Sequence, residues 1–159
     1  GYELEYWREE EWILQTGQLN WLLHRWNLPD AQANLYLKGG LGAAISDFRE
    51  FDDKTEPAGF TGVAFDAENR RFYVSYENRY VEAGDLFDGF EQKARVGFAP
   101  YVAAYGALHT WVILQVDHRP ESEDSLVWTP MLRFFKGDIL VEAGVSDNKK
   151  LLLNFMIRF

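Results

Sequence analysis

Charged side chains of both signs occur at alternate positions in segments that are otherwise rich in apolar residues. If these segments are extended strands, side chains two residues apart share a face. That charged face carries Lys38, Arg71, Glu77, Arg79, Arg95, Asp117, Arg133, Glu142 and Arg158. So many ions in a dry core would be costly unless each was paired. Inside a water-containing barrel, we expect the arginines to pair with Glu77, Asp117 and Glu142, or to line a narrow path that favours anions.

Histidine could supply a general base, and the chain has three: His24, His109 and His118. Only around Asp117-His118 do a base and several carboxylates crowd together, at Glu121, Glu123 and Asp124. Neighbouring residues on a strand point to opposite faces, so Asp117 cannot orient His118. We therefore predict no catalytic residue and no enzymatic activity.

Metal and cofactor motifs are weak in this sequence. His24 and His109 could both face an interior, but they fall on predicted strands that are not neighbours. Carboxylates are dense in two predicted loops, one with Asp47, Glu50, Asp52, Asp53 and Glu56 and the other with Glu121, Glu123 and Asp124. Such loops could chelate a divalent cation, yet they lack EF-hand spacing and are typical of solvated loops. With no phosphate-binding or H-E-x-x-H motif, we expect no metal and no cofactor.

Composition limits the remaining classes. A chain of 159 residues fits a single domain, predicted to span residues 1–159. The net charge of −9 argues against a nucleic-acid partner, and the absence of cysteine excludes disulfides and thiolate sites. No apolar run approaches the length of about 18 residues that a transmembrane helix needs. Because the chain begins at Gly1 rather than Met, we expect a processed segment before it.

The elements that must position these side chains are strands. Apolar residues alternate with polar ones, and aromatic residues reach 16%. Ten strands are predicted: 3–8, 12–26, 34–45, 61–68, 71–81, 93–104, 108–119, 126–135, 139–146 and 150–159. The fold class is therefore all-β.

The predicted connections alternate in length. Tight turns fall at 27–30, 67–70, near 105–106 and at 136–138, whereas longer loops fall at 46–60, 83–89 and 120–125. Short turns at one rim and longer loops at the other are typical of outer-membrane barrels. The pattern predicts a transmembrane antiparallel up-and-down β-barrel of about ten strands, within a range of eight to twelve.

Aromatic side chains are predicted on both faces of the barrel wall. Six lie near predicted strand ends, where membrane-interface girdles belong: Trp21, Trp26, Tyr80, Trp128, Phe134 and Phe159. Tyr73 and Tyr101 fall on the charged face and are predicted to line the lumen with it.

The last predicted strand carries a family resemblance. Its sequence Leu-Leu-Leu-Asn-Phe-Met-Ile-Arg-Phe, from Leu151 to Phe159, resembles the C-terminal signature of Gram-negative outer-membrane β-barrels, in which apolar residues alternate and the chain ends in Phe. The resemblance implies a place in the bacterial outer membrane, in contact with its lipids and lipopolysaccharide. It also implies that the barrel-assembly machinery recognises this strand. It names no narrower family.

Several functions fit this barrel. We expect a structural or interaction role, or a porin-like narrow pore for small solutes. Alternatives are a barrel, soluble or membrane-bound, that holds a lipid or small amphiphile, and an enzyme sited at the rim. Small residues on the apolar face, Gly39, Ala43 and Ala94, would also allow a protein partner in the membrane to pack closely.

Overall fold

The computed structural model describes residues 1–7, 12–46, 53–104, 106–122 and 124–157. Within them the chain forms ten strands. Their bounds are β1 Tyr2–Trp7, β2 Trp12–Asn27, β3 Ala31–Ser46, β4 Lys54–Asn69, β5 Phe72–Glu82, β6 Asp88–Phe98, β7 His109–His118, β8 Leu126–Lys136, β9 Ile139–Val145 and β10 Leu151–Ile157. The prediction of an all-β chain is confirmed.

The strands form one sheet in chain order, and every neighbouring pair is antiparallel. This confirms the up-and-down order. Within the described residues, no ladder joins β1 to β10. The described part of the chain also contains no helix long and apolar enough to cross a membrane.

The two ends of the sheet differ in their connections. The turn end carries residues 28–30, 70–71 and 137–138 and the connection from β6 to β7, and the loop end carries the connections that follow β1, β3, β5, β7 and β9. Three of the four turns are as short as predicted. The fourth is longer because β6 ends at Phe98, just before Pro100, which has no N–H to offer a ladder.

The sheet curls, so that one face is concave. Side chains on strands that are not neighbours meet there: Lys38 of β3 contacts Glu77 of β5, and Arg95 of β6 contacts Glu142 of β9. The opposite, convex face bears large exposed apolar side chains, among them Leu19, Trp21, Leu41, Leu153 and Phe155. Period-two alternation thus separates a polar interior from an apolar exterior.

An apolar cluster fills the concave face of β2–β5 toward the loop end. Its buried members are Trp12, Leu14, Ala44, Ala58, Phe60, Val81 and Ala83, with Leu86 and Phe87 packed against them. The rings of Trp12 and Phe87 stack with centroids 6.1 Å apart. The connection between β5 and β6 therefore folds over the interior and closes this side of it.

Two glycines on β3 allow close packing in the same region. A Cβ at Gly40 would overlap the ring of Phe60, and a Cβ at Gly42 would overlap the backbone carbonyl of Gln15 on β2. Gly39 points to the opposite face of the sheet. A Cβ at Gly39 would have ordinary contact space, because the Phe60 carbonyl oxygen would lie 3.6 Å from it. Dense glycine in this strand thus reflects the close approach of other groups.

A β-bulge interrupts the alternation of β2. The register with β3 shifts between Leu22 and His24, so that His24 pairs with Leu35 and Arg25 pairs with Asn34. One extra residue exchanges the faces of all residues that follow it. His24 therefore lies on the convex face, against Trp26 at a ring-centroid distance of 4.4 Å, and Arg25 turns inward.

Prolines explain a second difference between the predicted and observed strands. β4 begins at Lys54, not near Thr61, and includes Pro57, which pairs with Ala43 of β3. The ladder between β4 and β5 reaches only to Gly59, so Pro57 has a neighbour on one side alone. Pro130 of β8 likewise pairs with β7 but precedes the ladder to β9. Proline is tolerated where a ladder has no second partner.

Candidate functional site: the concave face

Glu142 lies at the centre of the largest polar network on the concave face. The side chain is 1% exposed, and its Oε1 accepts hydrogen bonds from Arg133 Nε at 2.7 Å and from Arg95 Nη1 at 3.5 Å. Asn154 Nδ2 donates to Oε2 at 2.9 Å. The Arg133 guanidinium also covers the ring of Tyr73, 4.7 Å from its centroid. The network joins β5, β6, β8, β9 and β10 across the interior.

A second network lies nearer the loop end. Glu91 accepts a short hydrogen bond from Arg79 Nε, and its other oxygen lies 2.7 Å from Arg119 Nε. Arg79 also stands over the ring of Phe60, 5.2 Å from its centroid. Arginine–carboxylate contacts of this kind are charge-assisted and strong. This network forms the boundary between the apolar cluster and the polar part of the interior.

Three further hydrogen bonds lie on the β2–β5 side of the concave face, between its centre and the turn end. Lys38 Nζ donates to Glu77 Oε1 at 2.7 Å. Arg25 Nε donates to Asn34 Oδ1 at 2.7 Å, and Asn34 Nδ2 donates to Asp66 Oδ1 at the same distance. Most of the interior charge is therefore neutralised by partners on other strands.

Three cavities remain along the concave face. The loop-end cavity has a volume of about 400 Å³ and is lined by Lys93, Gln115, Asp117, Thr129 and Ser146, among others. The central cavity, about 450 Å³, is lined by Tyr36, Lys38, Tyr73, Glu77 and Lys93. The turn-end cavity, about 600 Å³, is lined by Gln32, Arg70, His109, Trp111 and Phe135.

Lys93 lies between the first two of these cavities. It borders both of them, as well as a narrow space of about 10 Å³ formed with Glu77, Arg79, Glu91 and Asp117. Among the described residues, no carboxylate lies within ion-pair distance of its ammonium group. Lys93 thus presents a positive charge to the space between the loop-end and central cavities.

Asp117 is the register partner of Lys93 on the neighbouring strand. Its Oδ2 accepts a hydrogen bond from Gln115 Nε2 at 2.6 Å, and Gln115 Oε1 accepts one from Arg95 Nε at 2.7 Å. Gln115 is 2% exposed. This buried relay fixes the Asp117 carboxylate, whose Oδ1 accepts no hydrogen bond from the described residues.

The structure brings together only part of the predicted ion pairs. Arg95 and Arg133 both reach Glu142, as the alternation suggested. Arg79 instead pairs with Glu91, and Glu77 pairs with Lys38. Glu91 was missed because the predicted strand began at Lys93. Extending the alternation by two residues would have placed it on the same face.

Three other predicted lumen residues lie elsewhere or outside the described parts. Arg71 lies in the exposed turn before β5. Tyr101 lies in the 99–108 connection, where its hydroxyl is 2.8 Å from Thr110 Oγ1 and donates to the Leu108 carbonyl at 3.0 Å. Arg158 is not among the described residues, and neither is Phe159, predicted as an interface aromatic.

The other five predicted interface aromatics share the parity of the convex face. They are Trp21, Trp26, Tyr80, Trp128 and Phe134. Tyr80 contacts Phe90 edge-on with centroids 5.1 Å apart, and Trp26 contacts Phe65 in the same way at 6.5 Å. They therefore form part of the apolar outer surface.

No group of three metal-ligating side chains forms within the described ranges. His109 borders the turn-end cavity, and His24 lies on the convex face. Of the acidic loop residues, Asp47, Glu50, Asp52 and Glu123 fall outside the description, whereas Asp124 accepts a hydrogen bond from Asn148 at 2.9 Å.

At the loop end, Lys54 Nζ lies 2.7 Å from Asp85 Oδ2 and 3.2 Å from Glu56 Oε1. The hydrogen bond from Lys54 and its charge lower the pKa of Asp85. The contact ties the start of β4 to the connection that covers the apolar cluster.

Comparison with protein-family models, with curated proteins and with solved structures found no match to this chain. The concave face therefore has to be interpreted from its own geometry and charge.

Proposed function

We propose that this chain is an integral outer-membrane β-barrel whose concave face lines a narrow path for small polar solutes. The observation that carries the proposal is the series of polar cavities along that face, two of which share Lys93. The apolar cluster obstructs only the side formed by β2–β5. Solutes would pass beside it, along β6–β10.

Membrane insertion is supported by the convex face. Leu19 and Leu41 are each 80% exposed, and Trp21 is 70% exposed. A continuous apolar surface of this kind is unusual on soluble monomers. Most strands from β2 to β8 also reach the roughly 9–11 residues that cross a bilayer. The C-terminal resemblance supports the outer membrane in particular.

The membrane part of the proposal predicts heat-modifiable gel migration and a requirement for detergent or lipid. A protein that stays folded and monodisperse in buffer alone would contradict it.

The path is tested by conductance in planar bilayers. The wild type should give small single-channel steps that favour anions, because Lys93 places a positive charge between the two cavities that it borders. Lys93→Glu should shift the reversal potential toward cation selectivity. The control is Lys136→Glu, at the exposed end of β8 and away from the cavities, which should leave selectivity unchanged. A wild-type barrel without conductance would contradict the path and favour a structural role.

A second candidate is the binding of an amphiphile. The loop-end cavity borders not only polar groups but also Leu4, Leu151 and Leu153, which are exposed apolar side chains. An acyl chain could lie along these leucines with its polar head in the cavity. Native mass spectrometry of the purified protein should then show a retained ligand, and a bare mass would argue against it.

A further inference from the structure

Lys93 and Asp117 form an unusual pair on the concave face. They are direct register partners on β6 and β7, and both line the loop-end cavity. Side chains in such positions have Cβ atoms about 5 Å apart. Yet no ion pair within 4.0 Å joins them among the described contacts, in contrast to Lys38 and Glu77. Lys93 also faces Glu77 across the β5–β6 ladder, but the Glu77 carboxylate accepts a hydrogen bond from Lys38. Lys93 and Asp117 therefore each keep hydrogen-bonding capacity for a third group.

Asp117 is held in place from behind. The relay from Arg95 through buried Gln115 occupies Oδ2, and Oδ1 accepts no hydrogen bond from the described residues. Gln115 also keeps the carboxylate from turning freely. A preorganised carboxylate binds a cation at a lower entropic cost than a mobile one.

From this arrangement we infer that the loop-end cavity binds a small zwitterion, with its anionic group on Lys93 and its ammonium group on Asp117. A cavity of about 400 Å³ is within the size range of small-molecule sites. Its polar lining also includes the charged groups of Arg119, Asp124 and Lys150 and the hydroxyl and amide groups of Ser122, Thr129, Ser146 and Asn148. This inference deepens the proposed path, since it names the class of solute, and it rests on the same interior cavities.

Two kinds of molecule could supply this pair of charged groups. A free amino acid and the ethanolamine head of a phospholipid both carry an anion and an ammonium group a few bonds apart. A solute with a single charge would satisfy only one of the two side chains and leave the other without a partner. Such a solute should therefore bind more weakly.

Binding can be measured by isothermal titration calorimetry on the detergent-solubilised barrel, with no transport step. The probes are glycine, β-alanine and γ-aminobutyrate as zwitterions, and acetate and ethylammonium as singly charged controls. We expect at least one zwitterion to bind about tenfold more tightly than either control. A short-chain phosphatidylethanolamine serves as the lipid probe. Binding of the lipid alone would assign the site to a headgroup, and equal binding of acetate and the zwitterions would overturn the inference.

Variants separate the site from the general charge of the interior. Lys93→Met and Asp117→Asn should each weaken zwitterion binding about tenfold, whereas the exchange Lys93→Asp with Asp117→Lys should restore part of it. Arg25→Met, which removes a hydrogen-bonded interior cation at the turn end, is the matched control and should leave affinity unchanged. Equal losses in Arg25→Met and Lys93→Met would overturn the site. Calorimetry measures binding without conductance. The zwitterion site can therefore be tested even if the barrel conducts no ions.

Discussion

At the loop end of the sheet, the two sides of the concave face are filled in opposite ways. Strands β2–β5 present Trp12, Leu14 and Phe60 to one another and leave little space. Strands β6–β10 present Lys93, Asp117 and Thr129 around a cavity of about 400 Å³. The Arg79–Glu91–Arg119 network separates the two sides.

The difference shows that one strand pattern can supply both stability and a polar site. On the apolar side, burial of large side chains favours the folded state directly. On the polar side, ions are held by partners on distant strands, which costs desolvation but fixes geometry. The experiments below disturb one side at a time.

The largest effect is expected on the polar side, from Glu142→Ala. The change leaves Arg95 and Arg133 without their shared carboxylate in a buried position. Removing one partner of a buried ion pair costs about 3–5 kcal/mol. Urea unfolding of the purified protein measures the loss. Asn154→Ala, which removes a neutral donor to the same carboxylate, should cost only about 1 kcal/mol. Similar losses for both variants would mean that the interior charges are well hydrated.

On the apolar side, Leu14→Ala should cost about 2–5 kcal/mol, because Leu14 is fully buried in the cluster. Its control is Leu41→Ala, on the convex face, where the side chain is 80% exposed. We expect a small loss there, under about 1 kcal/mol. If Leu41→Ala were the more damaging variant, the assignment of inner and outer faces would be wrong.

The packing of β3 against its neighbours gives an intermediate effect. Gly42→Ala should destabilise the sheet by about 1–3 kcal/mol, because the added methyl group meets the β2 backbone. Gly39→Ala places the same group in ordinary contact space and should change stability little. Thermal unfolding of the two variants compares their stabilities. Equal stabilities would mean that β2 and β3 are not closely packed at Gly42.

The smallest effect is expected at the rim of the apolar side. Since Lys54 lowers the pKa of Asp85, their contact stabilises the fold above the unfolded carboxyl value of about 3.9 and is lost as the pH falls through the lower folded value. Asp85→Asn should therefore remove part of the acid sensitivity of unfolding. Asp138→Asn, in the turn between β8 and β9 and without an ion pair to any described residue, is the control.

Much of the fold could be predicted because alternation is a local property. The faces of β5, β7, β8 and β9 follow directly from it, as does the meeting of Arg95, Arg133 and Glu142. Strand ends could not be predicted equally well. Pro57 and Gly59 are typical of a loop, yet both lie in β4: Pro57 pairs with β3 alone, and Gly59 pairs on both sides.

The pairing of charges depended on information that the sequence does not carry locally. Lys38 and Glu77 lie on strands separated by β4, and their contact requires the curl of the whole sheet. The sequence also could not predict that Lys93 forms no ion pair with its neighbour Asp117, whose carboxylate accepts a hydrogen bond from Gln115 instead. Alternation could place these residues on a face but could not choose their partners.

The bulge between Leu22 and His24 divides β2 into two parts whose inward-facing positions differ by one residue. Before it, even-numbered residues face inward, and after it odd-numbered ones do, as Arg25 shows. A designer who grafts the β2–β3 hairpin onto another scaffold must carry the extra residue along, because deleting it would turn Arg25 outward and His24 inward. The same offset would mislead any alignment that scores this strand by one continuous period.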